Sequence, residues 1–295
     1  MSSFINEMAV DLGIPPKRLL HVIRTAPLRY KVFYIQKRSG GRREVAQPAR
    51  EVKALQRWLM TKLAAALPLH QAATAYVRGS SIKINASAHI SNAYLLKMDF
   101  KNFFPSILAD DLIRHLNSHC GHLYSDDDLA LAVRACSWAF KRTPPLRLCI
   151  GAPSSPMLSN SIMYDFDDEV FQHSLAKGVT YTRYADDLTF SCADPDVLKH
   201  YPDFIESVLA HLDYPRLTLN LRKTVHASKG GNRTVTGIVL TPDGKISIGR
   251  ERKRLIRSMY HRYKLGQLSP DDSAKMFGLI NFAEDIEPGF RARLE

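Results

Sequence analysis

The chain has 295 residues, of which 45% are hydrophobic and 24% charged, and this composition excludes disordered, collagen-like and disulfide-stapled proteins. Its formal charge of +12 indicates an acidic partner, either nucleic acid or an anionic membrane. No apolar run approaches the ~18 residues of a spanning helix, and the N-terminus lacks the pattern of a signal peptide. The four cysteines have no metal-ligand spacing. We therefore expect a cytoplasmic protein with reduced thiols, a nucleic-acid partner and no membrane contact.

The first third of the chain predicts helix, hairpin and helix in that order. Residues 1–27 favour a small helical lead-in, with Pro15-Pro16 at a helix start. The β-branched and aromatic run 30–36 predicts a strand, and the turn Ser39-Gly40-Gly41 returns it along 43–47. Apolar positions recur at helical spacing over 49–66.

The middle of the chain predicts a second hairpin with acids at its tip. Residues 94–100 predict a short buried strand that ends in an acid, followed by helices over 107–117 and 126–140. A loop over 146–156 precedes a helix over 155–175. Two β-prone runs then flank Ala-Asp-Asp within 181–192, which is a hairpin signal.

The last third predicts a helix, a small sheet and basic helices. The helix spans 196–211, and the strands span 217–226, 233–240 and 245–248. From Arg250 onward the chain is helical and strongly basic. The order of elements predicts an α+β fold with an antiparallel hairpin in its sheet and a separable C-terminal part of about 50 residues.

Three acids, Asp99, Asp186 and Asp187, lie where predicted strands end or turn. If these strands are neighbours, the three carboxylates meet at one edge of the sheet. Oxygen ligands of this kind suit Mg²⁺, and two such ions can activate an attacking hydroxyl and stabilise a leaving phosphate. The alternative is a solvated hairpin tip and an ordinary acid at the end of a strand.

Six segments in order resemble the motifs of reverse transcriptases, and of retron-type bacterial enzymes in particular. The resemblance runs from about residue 30 to 290, and its last two segments favour retrons over group II intron enzymes. The six segments are LLKMDFKNFFPSI (95–107), GAPSSPMLSN (151–160), YTRYADDLTFS (181–191), NLRKT (220–224), NASAH (85–89) and VTG (235–237).

The resemblance implies a right-hand polymerase with fingers, palm and a helical thumb. The expected boundaries are 1–98 for the N-terminal helices and fingers, 99–240 for the palm and 241–295 for the thumb, with finger helices inserted at about 107–145. The implied activity is that of an RNA-directed DNA polymerase. The implied partners are dNTPs, a cognate structured noncoding RNA, its branched RNA–DNA product (msDNA) primed from an internal 2′-OH, and a separate effector protein in anti-phage defence.

The resemblance also implies roles for individual residues. It places the catalytic acids at Asp99, Asp186 and Asp187 and adds Phe100 to the ligands of two Mg²⁺ ions. Phe104 is in register with the side chain that crowds a ribose 2′-OH, and an ordinary core aromatic is the alternative. The expected dNTP-binding residues are Arg43, Lys37, Phe104, Ala152 and Lys223, and for Lys37 and Lys223 a solvated surface charge is equally compatible with the sequence.

For RNA we expect contacts from the basic face of the first thumb helix, at Arg250, Lys253, Arg254 and Arg257. Asn85 and His89 are candidates either for RNA contact or for packing of the adjacent helix. One departure from the family is Ile150, which stands where many reverse transcriptases carry Gln. An idle RNA-binding scaffold on the same fold and a group II intron-like enzyme are the alternative functions.

Overall fold

The computed structural model describes residues 3–36 and 40–294. Within these ranges the chain forms helices and mostly antiparallel strands, as the sequence predicts for an α+β fold. The helices are α1 Ser3–Leu12, α2 Pro16–Thr25, α3 Arg50–Leu63, α4 Ile82–Ser87, α5 Phe103–Ser106, α6 Ala109–Cys120, α7 Asp126–Cys136, α8 Ser155–Ile162, α9 Tyr164–Ala176, α10 Pro195–Lys199, α11 Tyr201–His211, α12 Arg250–Lys264 and α13 Pro270–Ile286. The strands are β1 Tyr30–Gln36, β2 Arg42–Pro48, β3 Tyr94–Asp99, β4 Trp138–Ala139, β5 Leu146–Arg147, β6 Thr180–Tyr184, β7 Asp187–Cys192, β8 Val225–Ser228, β9 Arg233–Val235, β10 Ile238–Leu240 and β11 Ile246–Ser247.

The central sheet has four strands in the order β6-β7-β3-β8. In the antiparallel pair β3–β7, Leu96 is opposite Phe190 and Met98 is opposite Leu188, and all four side chains belong to the main core. Because side chains alternate along a strand, Lys97 and Asp99 point to the other face, with Thr189 and Asp187 opposite them. One face of the sheet is therefore packed, and the other carries the acids.

A second core joins the small sheet β11-β10-β9 to the two C-terminal helices. Val235, Ile238 and Leu240 from this sheet pack with Ile256 of α12 and Ile280 of α13. The C-terminal unit thus includes strands that lie before residue 241, the expected start of the thumb. Helix α4 contributes Ala86 to the same core, and Leu95 of β3 belongs to it as well, so this unit is packed against the central sheet.

The hairpin β1–β2 projects from the rest of the molecule, with all seven residues of each strand paired in register. Its first strand exposes four consecutive large side chains, Val32, Phe33, Tyr34 and Ile35. The base of the hairpin is fixed where the Ala46 N–H donates to the carbonyl of Ile150 at 2.8 Å. A Cβ on Gly151 would lie 2.9 Å from Val45 Cγ1, so this close approach requires glycine.

Several predicted elements differ from those observed. The helix predicted over 126–140 ends at Cys136, and the one over 155–175 is two helices that meet at Met163. The helix predicted over 196–211 is likewise two, α10 and α11, which meet at His200.

Two strands predicted in the last third of the chain also differ from the observed structure. The strand predicted over 217–226 is wrong for most of its length. Its backbone instead bonds irregularly to the end of β3, through Lys101 N–H to Thr218 O at 2.8 Å and Asn220 N–H to Asp99 O at 2.7 Å. The strand predicted over 233–240 is the hairpin β9–β10.

Candidate active site

Three acidic side chains meet at one end of the central sheet. Asp99 is the last residue of β3 and lies directly opposite Asp187, the first residue of β7. Asp186 is the residue before β7, and its carbonyl accepts a hydrogen bond from Phe100 N–H at 3.2 Å. The end of β3 and the β6–β7 turn are thus tied together, and the sequence-predicted acids share one site.

The local environment opposes full ionisation of Asp186 and Asp187. The protein walls of the cleft reduce the solvation of Asp187, and together with the charges of Asp186 and Asp99 they raise its pKa to about 6. Its side chain nonetheless opens onto the cleft. Burial and the charge of Asp99 likewise raise the pKa of Asp186. A cation between these groups would relieve their repulsion.

The side chain of Lys223 places a positive charge beside the three aspartates. Its Nζ donates to both carboxylate oxygens of Asp99, at 3.0 and 2.9 Å, and these bonds raise the pKa of Lys223. Asp99 is mostly buried, whereas the Lys223 side chain remains 57% exposed. The pair therefore lies at the surface of the cleft, where an exposed lysine can move without disturbing the core.

The donor set fits a divalent metal ion of the Mg²⁺ type, because it consists of carboxylate oxygens. In the parts of the chain that the structure describes, no cluster of three or more His, Cys, Asp or Glu side chains is already arranged as a metal site. Mg²⁺ commonly takes one or two protein carboxylates and completes its shell with substrate phosphates and water. Asp99 and Asp187 across β3–β7 supply ligands of that kind.

A buried ion pair holds the backbone of the acidic turn. Arg183 and Asp167 are both fully buried, with Arg183 Nε 2.8 Å from Asp167 Oδ1 and Nη2 2.6 Å from Oδ2. The remaining Nη1 donates to Asn160 Oδ1 and to the carbonyl of Ala185, both at 3.1 Å. Ala185 has φ +58°, a left-handed conformation that is costly for a residue with a Cβ. Arg183 thus fixes the turn that presents Asp186 and Asp187.

Asp99 and Asp187 line a cavity of about 790 Å³, and several cations line it as well. Arg43 lines it from the hairpin β1–β2, and its role in binding a triphosphate stays a prediction. The lining of this cavity combines residues of the central sheet, the hairpins and the C-terminal unit: Arg43, Ile82, Lys97, Met98, Asp99, Tyr184, Asp187, Thr189, Lys223, Val225, Thr236, Gly237 and Arg252. Lys37, the other expected triphosphate residue, lies outside the described residues.

A second cavity of about 370 Å³ contains Phe104 and Ala152, the other two residues predicted to bind dNTP. Ile150 and Gly151 line it as well, so an apolar side chain stands there where the resemblance implies Gln. Lys53 and Arg57 of α3 add positive charge on the far side.

Tyr76 lines the smaller cavity. It is 57% exposed, and its raised pKa has burial as the main cause and the charge of Asp186 as the next. Its φ of +61° is rare for an aromatic residue. Tyr76 was missed from the sequence, because its left-handed backbone has no glycine or asparagine signal.

Asn85 and His89 are interior residues. His89 is completely buried, with Nδ1 2.7 Å from Ser191 Oγ and Nε2 2.8 Å from Thr182 Oγ1, so it bridges β6 and β7. Asn85 is 1% exposed, and among the described residues its side-chain amide has no hydrogen-bond partner. Of the two interpretations left open, RNA contact and packing, the structure places both side chains in packing positions. A buried side chain offers no surface to RNA.

Of the four basic residues predicted on α12, Arg250, Arg254 and Arg257 are exposed. Lys253 is different, because its Nζ lies 2.6 Å from Glu287 Oε2 and its side chain is 27% exposed. Lys253 thus stabilises the contact between α12 and the end of α13 and is not available as a free cation. The predicted basic face of four residues is therefore corrected to three exposed residues, Arg250, Arg254 and Arg257.

Comparison with known proteins agrees with this geometry. The profile of the family described as reverse transcriptase (RNA-dependent DNA polymerase) matches residues 35–260. The retron Ec83 reverse transcriptase of Escherichia coli is 42% identical over 90% of this chain and 86% of its own length. The retron Ec73 reverse transcriptase of the same organism is 31% identical over 92% and 88%, respectively.

Among solved structures, telomerase from Candida albicans has a TM-score of 0.53 with 13% identity over 90% of this chain, and shows likeness of fold alone. The aligned part is 56% of that telomerase chain. None of the described helices is both long and apolar enough to cross a membrane.

Proposed function

Because the chain belongs to the reverse transcriptase family, and within it to the retron-type enzymes, it is an RNA-directed DNA polymerase, and we propose how its site performs that reaction. We propose that it copies part of a structured noncoding RNA into DNA, starting from the 2′-OH of an internal guanosine. The product is a branched RNA–DNA molecule, msDNA. The support for this priming is the retron identity of its relatives and the signatures at 85–89 and 235–237.

The observation that carries the catalytic proposal is the meeting of Asp99 with Asp187 across β3–β7, with Asp186 at the adjoining turn. Enzymes of this family use divalent metal ions. We propose that the three aspartates, with Phe100 beside them, hold two Mg²⁺ ions. Such ions would stabilise charge on the attacking and leaving oxygens. The hydroxyl oxygen bonds to the α-phosphorus, the bond to pyrophosphate breaks, and the hydroxyl proton leaves to solvent.

Other residues of the two cavities position the nucleotide. Arg43 binds the triphosphate. Lys223 leaves Asp99 and pairs instead with the negative charge of the leaving pyrophosphate. This exchange is supported by the exposure of Lys223 at the cleft surface. Phe104 blocks a ribose 2′-OH beside Ala152, since both side chains line the smaller cavity. Ile150 leaves the sugar without an amide contact at that position.

The proposed division of the chain is fingers, palm and thumb, with β9–β11 counted with the thumb because they share its core. Arg250, Arg254 and Arg257 track the backbone of the cognate RNA and of its DNA product through sequence-independent contacts. We also propose a separate effector protein in anti-phage defence and a cytoplasmic location. The location is supported by four buried, unpaired cysteines.

Substitution of the acids tests the catalytic assignment. Asp99→Asn, Asp186→Asn and Asp187→Asn are expected to reduce Mg²⁺-dependent dNTP incorporation on a primed RNA template by at least about 10³-fold, because the charge that neutralises the metal ions is lost. RNA affinity is expected to stay within twofold in a filter-binding assay. Asp203→Asn, an exposed acid on α11, is the matched control. Near wild-type extension by any of the three variants would contradict the assignment.

A further inference from the structure

The cavity lined by Asp99 and Asp187 continues past them to the C-terminal unit. Its floor is the open face of the sheet, where Lys97 and Asp99 lie two residues apart on β3 and face Thr189 and Asp187 on β7. Its far wall is the turn between β9 and β10, together with Arg252 of α12. The reacting centre and this wall therefore share one open space of about 790 Å³.

The turn in this wall has a fixed position. Thr236 and Gly237 have φ of +46° and +80°, the left-handed pair that a tight hairpin turn requires. A threonine rarely adopts this conformation, and two contacts from outside the hairpin hold it. Thr236 Oγ1 donates to the carbonyl of Ile82 at 3.3 Å, and Arg252 Nη1 donates to the carbonyl of Gly237 at 2.9 Å.

Arg252 is held in place with most of its donors unused. Its guanidinium lies 5.7 Å from the ring centre of Phe282 as well as on Gly237. In the described parts of the chain no carboxylate forms an ion pair with it, and one of its five N–H groups is engaged by protein. A positioned guanidinium with free donors is suited to two-pronged binding of phosphate.

The proposed 2′-priming places an additional phosphate next to these acids. A primer that ends in a 3′-OH has no chain beyond its reacting sugar. A nucleotide that reacts through its 2′-OH inside an RNA strand carries a 3′-phosphodiester on the neighbouring carbon. That phosphate lies close to three carboxylates and needs a cation on the primer side of the cavity.

We propose that Arg252 binds the phosphate on the 3′ side of the priming nucleotide and so favours initiation from an internal 2′-OH. This inference rests on the proposed function. Two other cations of the cavity are assigned elsewhere: Lys223 is paired with Asp99, and Arg43 comes from the hairpin assigned to the triphosphate. Lys97 lies on the floor beside the acids, whereas Arg252 forms part of the wall toward the C-terminal unit.

The test compares two reactions of the same preparation. In the first, the full-length protein is supplied with RNA transcribed from the DNA that flanks its gene, and 2′–5′-linked product is counted. In the second, it extends a DNA primer with a recessed 3′-OH on an unrelated RNA template. Arg252→Gln is expected to reduce the 2′-primed product at least tenfold and to leave 3′-primed extension within twofold. Arg252→Lys keeps the positive charge but not the two-pronged guanidinium, and it is expected to reduce the 2′-primed product less than Arg252→Gln does.

Arg254→Gln is the control, because Arg254 is exposed on the same helix and is absent from the cavity lining. It is expected to lower both reactions in equal proportion. Equal losses in both reactions for Arg252→Gln, or no loss in either, would overturn the role of Arg252. Thermal unfolding of each variant separates a specific effect from general loss of structure. Absence of 2′–5′-linked product from the wild-type protein would instead overturn the proposed priming and this inference with it.

Discussion

At the scale of single residues, the acidic turn depends on side chains that do no chemistry themselves. Arg183 joins Asp167, Asn160 and the carbonyl of Ala185 in one buried network, and Tyr181 donates to Asp167 at 2.8 Å. Loss of one partner from a buried ion pair generally costs about 3–5 kcal/mol, because the other charge is left uncompensated. The sequence signal for this network is an arginine within an otherwise β-prone run, which by itself does not identify its partners.

Arg183→Lys tests whether the network positions the turn. Lysine keeps a charge for Asp167 but cannot also reach Asn160 and Ala185 with a rigid fork. We expect kcat for dNTP incorporation to fall about 10–100-fold, the order expected for a reacting group displaced by about 1 Å. KM for the dNTP should change less than threefold, as measured by single-nucleotide extension.

Arg114→Lys, at an exposed position of α6, is the control and should leave both constants unchanged. A loss of thermal stability with unchanged kcat would assign Arg183 to folding alone.

At the scale of elements, the sequence predicts structure well where periodicity and turn chemistry agree. The hairpin β6–β7 and the start of α7 at residue 126 were both predicted, because each has a local signal. The segment 217–226 was predicted wrongly because its β-prone residues bond irregularly to the end of β3. The orientation of His89 depends on which strands pack beside it, and no local pattern contains that information.

His89→Ala tests the packing role of the 85–89 segment. Removal of the imidazole takes one partner from each of the hydroxyls of Ser191 and Thr182, of which Ser191 keeps Asn92, so we expect the free energy of unfolding to fall by about 1–3 kcal/mol in urea titrations. RNA affinity of the folded variant should remain within twofold. His211→Ala, which removes an exposed contact with Glu169, should cost no more than about 1 kcal/mol. Unchanged stability with weakened RNA binding would reverse this interpretation.

At the scale of the whole molecule, the net charge can be read from the sequence, whereas the positions of the individual charged side chains depend on the fold. The formal charge of +12 gives a general attraction for nucleic acid, but its distribution could not be read from the sequence, as the internal pairing of Lys253 with Glu287 illustrates. The meeting of Asp99 with Asp186 and Asp187 was predicted through the order of motifs and is brought about by strand pairing. The wall formed by Arg252 and the β9–β10 turn depends on how α12 packs, which the sequence does not reveal.

Buried histidines make the folded state sensitive to acid. Burial lowers the pKa of His89 to about 3, and burial with the neighbouring His119 lowers that of His115 to about 3. Both remain neutral when folded and take up a proton near pH 6.5 when unfolded, so the unfolded state binds more protons below that pH. The contribution of these two histidines to the free energy of unfolding is therefore fully present above about pH 6.5 and is lost toward pH 3. The loss is roughly 2 kcal/mol for each histidine between pH 6.5 and 5.

Urea unfolding at pH 7.5 and pH 5 measures this dependence. His115→Gln is expected to reduce the difference in unfolding free energy between the two pH values by roughly 2 kcal/mol, the contribution of one such histidine. A His115→Gln variant with the same pH dependence as wild type would contradict the assignment of His115 as a neutral interior group.

The most direct test of the account is the location of divalent ions in the enzyme bound to a primed RNA template and a non-hydrolysable dNTP. Crystals grown with Mn²⁺ in place of Mg²⁺ allow the ions to be located by anomalous scattering. We expect anomalous peaks coordinated by the carboxylates of Asp99 and Asp187, with Lys223 Nζ withdrawn from Asp99. Ions bound elsewhere, with Lys223 still paired to Asp99, would contradict it.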